Sequence, residues 1–207
     1  MLAGVNGAGK SSVVGEALRQ QGGEYFNPDE VAQKLRRADS ALGQEQANAQ
    51  AWRLGTAALE RAIAERKEFT LETTLGGKTI RDLLIRAADE RLEVVVIYVG
   101  LDSADRHVAR VAARVKQGGH DIPEARSRER YVSSRENLVR LVPHLTELVV
   151  WDNSDEGDPA AGVAPRPRRL LHHRRRTITE VAPLETIPDW AKPIVMAVKR
   201  KVDEPAA

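Results

Sequence analysis

The chain has 207 residues, of which 32 are basic and 30 acidic, leaving a formal net charge of +2. That length suits one well-buried domain with an appendage, and the near-neutral balance announces neither a nucleic-acid protein nor an acidic tail. No cysteine is present, which excludes disulfides, thiol nucleophiles and cysteine-ligated metal sites and fits a reducing cytoplasm.

In chain order, Met1, Leu2 and Ala3 give a first strand only on the order of 10 Å long. Either the start is truncated or misassigned, or the sheet tolerates a stub at its centre; no basic-then-apolar leader is expected. "AGVNGAGKSS" follows (residues 3–12). Read as Gly4-Val5-Asn6-Gly7-Ala8-Gly9-Lys10-Ser11, it satisfies the GxxxxGK[ST] spacing of a phosphate-binding loop. Gly4, Asn6, Gly7, Ala8, Gly9, Lys10, Ser11 and Ser12 are the expected nucleotide contacts. Glycines let successive N–H groups turn toward a phosphate chain, and the following helix adds its positive dipole end. Lys10 reaches the β- and γ-phosphates of ATP, and the Ser11 hydroxyl is placed for Mg²⁺. Val13, Val14, Ala17 and Leu18 recur at helical spacing until Gly22-Gly23.

"EYFN" (24–27), "EFTLE" (68–72), "EVVVIYVG" (93–100) and "ELVVWD" (147–152) read as strands, the last two apolar enough for burial on both faces. The longest apolar run, "VVVIYVGL", is too short to span a bilayer. Helical patterns fall at 44–66, 77–90, 103–116 and 124–141. This alternation predicts an α/β fold with a parallel, helix-covered sheet, whose ligands gather at the carboxyl ends of the strands.

Three groups fall at such ends. In "FNPDEVAQKL", Asn27 reads as a helix N-cap and Pro28 as the first helical residue. Asp29 in that first turn has two readings, a carboxylate complementing the helix dipole or a general base, and Glu30 is placed to close a capping box. In "FTLETTLGG", Glu72 is either merely solvated or binds substrate hydroxyls or holds Mg²⁺ through water, with the Thr73 and Thr74 hydroxyls beside it. In "RVKQGGHDIPEARSRERYVSSRENL", Arg126, Arg128, Arg130 and Arg135 form either a solvated basic helix or donors to a phosphoryl group. Arginines at two-residue offsets cannot all share one helix face. His120 in the glycine turn is a candidate switchable contact. After residue 157, "GVAPRPRRLLHHRRRTITE" concentrates Arg166, Arg168, Arg169, Arg174, Arg175 and Arg176, before "WAKPIVMAVKRK" resumes a helical pattern. The arginine cluster allows an alternative nucleic-acid-associated module, against which stands the lack of interleaved aromatics. A further alternative is an ATPase switch without an acceptor. The expected division is a phosphate-loop kinase domain over 1–157, with a lid at about 114–135, and an extension over 158–207 forming a hairpin plus helix packed on it.

With "GVNGAGKSS", "FNPDEVA", "FTLETTLGG", "YVGLDSADRHVARVAARVKQGGHDIPE", "RERYVSSRENL" and "VVWDNSDEG" in this order, the chain resembles the zeta-toxin family of phosphate-loop kinases, in its shorter, NPDE-containing chromosomal form. The resemblance implies a five-stranded parallel sheet with a helical lid and an ATP- and Mg²⁺-dependent kinase. The implied small-molecule acceptor is UDP-N-acetylglucosamine, phosphorylated on a sugar hydroxyl. It further implies phosphate and Mg²⁺ roles for Lys10 and Ser11, Asp29 as base and Glu72 as a substrate contact. Arg128 and Arg130 would be lid arginines steadying the transferred phosphoryl. An antitoxin protein is a possible partner of such kinases, not readable from one chain; no membrane partner is expected.

Overall fold

The computed structural model describes residues 1–20, 22–116, 121–157 and 166–204. His120 and the boundary drawn at 157/158 fall in or against the segments outside that set. Six strands form one sheet: β1 (Leu2–Ala3), β2 (Glu72–Thr73), β3 (Val95–Gly100), β4 (Glu147–Asp152), β5 (Arg168–Arg174) and β6 (Thr177–Val181). Their order is β2-β1-β3-β4-β5-β6. β2, β1, β3 and β4 pair in parallel, and β5 pairs antiparallel with both β4 and β6.

The five-stranded parallel expectation is thus corrected to a six-stranded mixed sheet. The "EYFN" strand shrinks to a single parallel bridge, Phe26 with Leu71. Pro28 follows almost at once and can continue only as a helix start. β2 begins at Glu72, with the ladder extended upstream by Phe26 N–H to Thr70 and Glu72 N–H to Phe26. β1 is a two-residue strand, but it lies second in the sheet, between β2 and β3, and not at its centre. It holds because the Ile97 N–H adds a bond to the Met1 carbonyl and both Leu2 and Ala3 are fully buried.

The helices are α1 (Glu16–Gln20), α2 (Pro28–Ala38), α3 (Gln44–Glu65), α4 (Lys78–Asp89), α5 (Ala104–Lys116), α6 (Glu124–Leu141) and α7 (Lys192–Asp203). The helix expected after the phosphate loop begins instead with a π turn over Ser11–Gly15. Such widened turns concentrate at functional sites. The main core lies on one face of the sheet, where Tyr98, Leu148 and Val150 pack with Leu83, Leu138, Leu171, Trp190 and Ile194. The other face carries a thin cluster of Leu2, Ala8, Val14 and Val99 beneath the first helix. That asymmetry is why β4 alternates, with Leu148 and Val150 buried but Val149 and Trp151 half-buried, against the expectation of burial on both faces.

Candidate active site

Side chains from three directions fix the shape of the phosphate loop. Lys10, 6% exposed, folds its Nζ back onto the Gly4 carbonyl at 2.8 Å and meets the Glu72 carboxylate at 3.4 Å. From α5, Nδ1 of buried His107 lies 2.9 Å from the Asn6 carbonyl. A carbonyl only accepts, so Nδ1 carries the proton. Burial lowers the His107 pKa to about 4, which keeps the ring neutral near pH 7. Just past β4, the Asn153 amide donates to the Ala8 carbonyl at 2.9 Å. Gly9 has φ +84°, and a Cβ there would come within 2.3 Å of Asn153 Nδ2, so the loop closes against this side chain only with glycine. The helix that follows leaves its first N–H groups without intrahelical acceptors, the donors an anionic phosphate needs.

Glu72 ties this loop to the second strand position. Its carboxylate meets Lys10, accepts from the Ser11 hydroxyl at 3.3 Å and accepts from the Asn27 amide at 3.3 Å. It is not a merely solvated strand-end carboxylate. Asn27 caps α2 as its sequence predicts, its Oδ1 accepting from the N–H groups of Asp29 at 2.9 Å and Glu30 at 3.4 Å. Glu30 itself pairs with Arg19. Thr73 accepts from the Leu75 N–H at 3.0 Å, and Ser12 donates to the Gly9 carbonyl at 3.0 Å.

A cleft of about 570 Å³ opens over these groups. Asn6, Lys10, Glu72, Thr73 and Thr74 line its loop side, with Asn27 and Asp29 at the start of α2. Glu45, Asn48 and Trp52 of α3 and Arg126 and Arg130 of α6 also line it. Arg130 donates to the Asn6 side-chain oxygen at 2.8 Å, and its own burial, then the neighbouring Arg126 charge, lowers its pKa. Arg128 does not line the cleft. Two residues from both partners, it points away, pairing with Glu124 at 2.7 Å and Asp105 at 2.6 Å. Of the lid arginines, the cleft therefore receives Arg126 and Arg130. Arg135 stacks on Tyr131, 3.9 Å from its ring centre.

Hard-oxygen donors suited to Mg²⁺ are present, Ser11 and Glu72 on adjacent sides of Lys10. Mg²⁺ needs only one or two protein oxygens beside phosphates and water, so the residues fit it. No group of three or more candidate metal ligands occurs among the described residues.

The basic segment is largely engaged by the protein itself. Arg168 pairs with Asp152, Arg169 with Glu180, Arg174 with Glu147 and Arg175 with Glu93, while Arg176 reaches the Val202 carbonyl. Among the described residues no helix is long and apolar enough to cross a membrane. His107 and Asn153 were not singled out by sequence. A lone helical histidine carries no signal, whereas Asn153 had one, its place at the carboxyl end of a buried strand.

The AAA_33 family, an AAA domain, matches residues 1–138. An uncharacterized protein of Haemophilus influenzae is 30% identical over 129 residues, which span 62% of this chain and 88% of its own length. A chain of the AvrRxo1-ORF1:ORF2 complex solved with ATP superposes over 100% of this chain with a TM-score of 0.66 at 13% identity. A chain of the native AvrRxo1-ORF1:ORF2 complex does so over 99% with a TM-score of 0.67 at 15% identity. The present chain spans 64% and 70% of those chains. At such identities the likeness is one of fold, and the fold is that of a phosphate-loop kinase.

Proposed function

The chain belongs to the AAA_33 family of AAA domains, and from that premise we propose that it is an ATP-dependent phosphotransferase acting on a hydroxyl of a small molecule. The observation that carries the reading is one cleft that receives Lys10, Asp29, Glu72 and Arg130. By the zeta-toxin resemblance, the acceptor is a sugar nucleotide like UDP-N-acetylglucosamine.

In this mechanism the ATP phosphates lie on the loop at residues 4–11, with Ser12 at its rim. The acceptor hydroxyl sits between Asp29 and the γ-phosphorus. The acceptor oxygen bonds to phosphorus as the bond to the β–γ bridging oxygen breaks, and ADP leaves. Asp29 takes the hydroxyl proton late, because the transition state is loose and needs positioning more than covalent help. Lys10 and Arg130 neutralise charge on the transferred group, with Arg126 adding to the same field. Glu72 and Thr73 orient the acceptor. Mg²⁺, held by Ser11 and Glu72 when bound, supplies further neutralisation of phosphate oxygens. An antitoxin-like protein partner belongs to this reading too, on the resemblance and on the AvrRxo1-ORF1:ORF2 assemblies.

The test is mass spectrometry of products after incubation with ATP·Mg²⁺ and a pool of UDP-sugars, with Lys10→Ala as control. One added phosphoryl group on a sugar nucleotide, absent from the control, is expected. Asp29→Asn should then keep ATP binding and lose turnover by about a hundredfold or more. Bound ATP with no product on any sugar nucleotide would refute this acceptor class.

A further inference from the structure

We propose that Trp52 is the specificity-determining platform of the acceptor site, stacking on a planar heteroaromatic ring of the acceptor while Glu45 reads that ring's edge. This rests on the phosphotransferase reading only for the word acceptor; the platform itself is a binding surface. Trp52 is 48% exposed although it lines the cleft. It belongs to no apolar cluster of the described residues. An indole spent on neither core nor aromatic pair, facing a cleft, has its π-face available to a ligand.

The helix geometry makes the platform a stripe. Asn48, Trp52 and Gly55 follow each other at spacings of four and three, so they share one face of α3. At Gly55 that face is pressed onto Phe26, where a Cβ would meet the ring at 2.7 Å. Phe26 directly precedes Asn27, the cap that presents Asp29. The close approach at Gly55 therefore fixes the height of the stripe relative to the carboxylate, and one turn earlier it opens into the cleft as Trp52, then Asn48 and Glu45. Glu45 supplies a carboxylate acceptor that matches a ring N–H edge, while the Asn48 Oδ1 beside it accepts from the Gln44 amide at 2.9 Å.

Charge orients the ligand. Glu45 beside the platform disfavours phosphate there, whereas Arg126 and Arg130 bring positive charge to the same cleft from α6. An uncharged ring lies on Trp52, and any phosphate of the acceptor points toward the arginines.

Titration calorimetry with uridine, cytidine, adenosine and guanosine, each run on Lys10→Ala protein, tests this with the phosphate loop disabled. Trp52→Ala in that background should weaken the best-binding nucleoside about tenfold or more, the scale of base stacking on an aromatic side chain. Trp52→Phe should stay within about threefold, since it keeps a π-face; an unchanged melting temperature shows that both variants fold. Unaltered affinity in Trp52→Ala, or no binding by any of the four nucleosides, overturns the proposal. Phosphoryl transfer is scored separately on wild-type protein. Trp52-dependent nucleoside binding without transfer leaves the platform standing and removes the kinase reading; transfer without it does the reverse.

Discussion

Exchange of Asn153 for aspartate should damage this protein more than its removal, although the two side chains have nearly the same shape. Asn153 is buried, and its amide donates at 2.9 Å to the carbonyl of fully buried Ala8. Asn153→Ala loses that bond and leaves the carbonyl unpaired, a cost of about 1–3 kcal/mol. For a chain of this size each kcal/mol lowers Tm by about 2–4 °C, so the alanine variant should melt about 2–12 °C lower. Asn153→Asp adds a second effect. It sets an acceptor against the Ala8 carbonyl and a negative charge beside Gly9, where the phosphate chain would lie. Two unit charges 4 Å apart interact by about 4 kcal/mol near a protein surface; at roughly twice that separation the repulsion is about 2 kcal/mol, or about thirtyfold in ATP affinity. Thermal melts and ATP titration calorimetry on the three proteins should give the order wild type, alanine, aspartate. An aspartate variant that binds ATP as well as the alanine variant, or an alanine variant with unshifted Tm, refutes the argument.

Single substitutions in α6 should separate its arginines: Arg126→Ala and Arg130→Ala should each lower transfer at least about tenfold more than Arg128→Ala, because only the first two line the cleft. Equal losses, measured as kcat/KM, would return Arg128 to the site. For His107 the folded pKa of about 4 lies below the ordinary 6.5. The unfolded chain therefore binds the extra proton first, and stability that is full above pH 6.5 drains as pH falls toward 4, by up to about 3 kcal/mol. Urea melts of wild type and His107→Gln between those limits should differ in pH slope, and parallel curves would show that burial does not hold the imidazole neutral.

Where the chain's periodicity was unambiguous, sequence sufficed. α3, α4, α5 and α6 lie within a residue or so of the ranges expected from apolar spacing, and the Asn27 cap with Pro28 behind it places α2. The short strands were less legible. Phe26 and Leu71 meet in one bridge because the residues flanking them serve the turn into α2 and the Glu72 contacts, which local propensity cannot foresee. At the site, the loop could be read from its own spacing, but its braces could not. His107 and Asn153 lie 101 and 145 residues away from the carbonyls they bind. Arg126 against Arg128 was a matter of helical phase, settled only once the flank of α6 that faces Asn6 was known.

Gly100, at the end of β3, has Trp190 so close that a Cβ would sit 2.4 Å from the indole. That indole enters with Ala191, Ile194, Val195 and Val198 as part of the same core that holds Tyr98 and Leu138. The stretch that matches the family, residues 1–138, therefore buries part of its core against residues outside that stretch. The underside of the sheet that carries the phosphate loop is furnished in part by the last forty described residues or so. A segment cut at residue 138 would carry the loop-bearing face without that part of the underside, leaving Tyr98 and Leu138 without some of the partners they pack on.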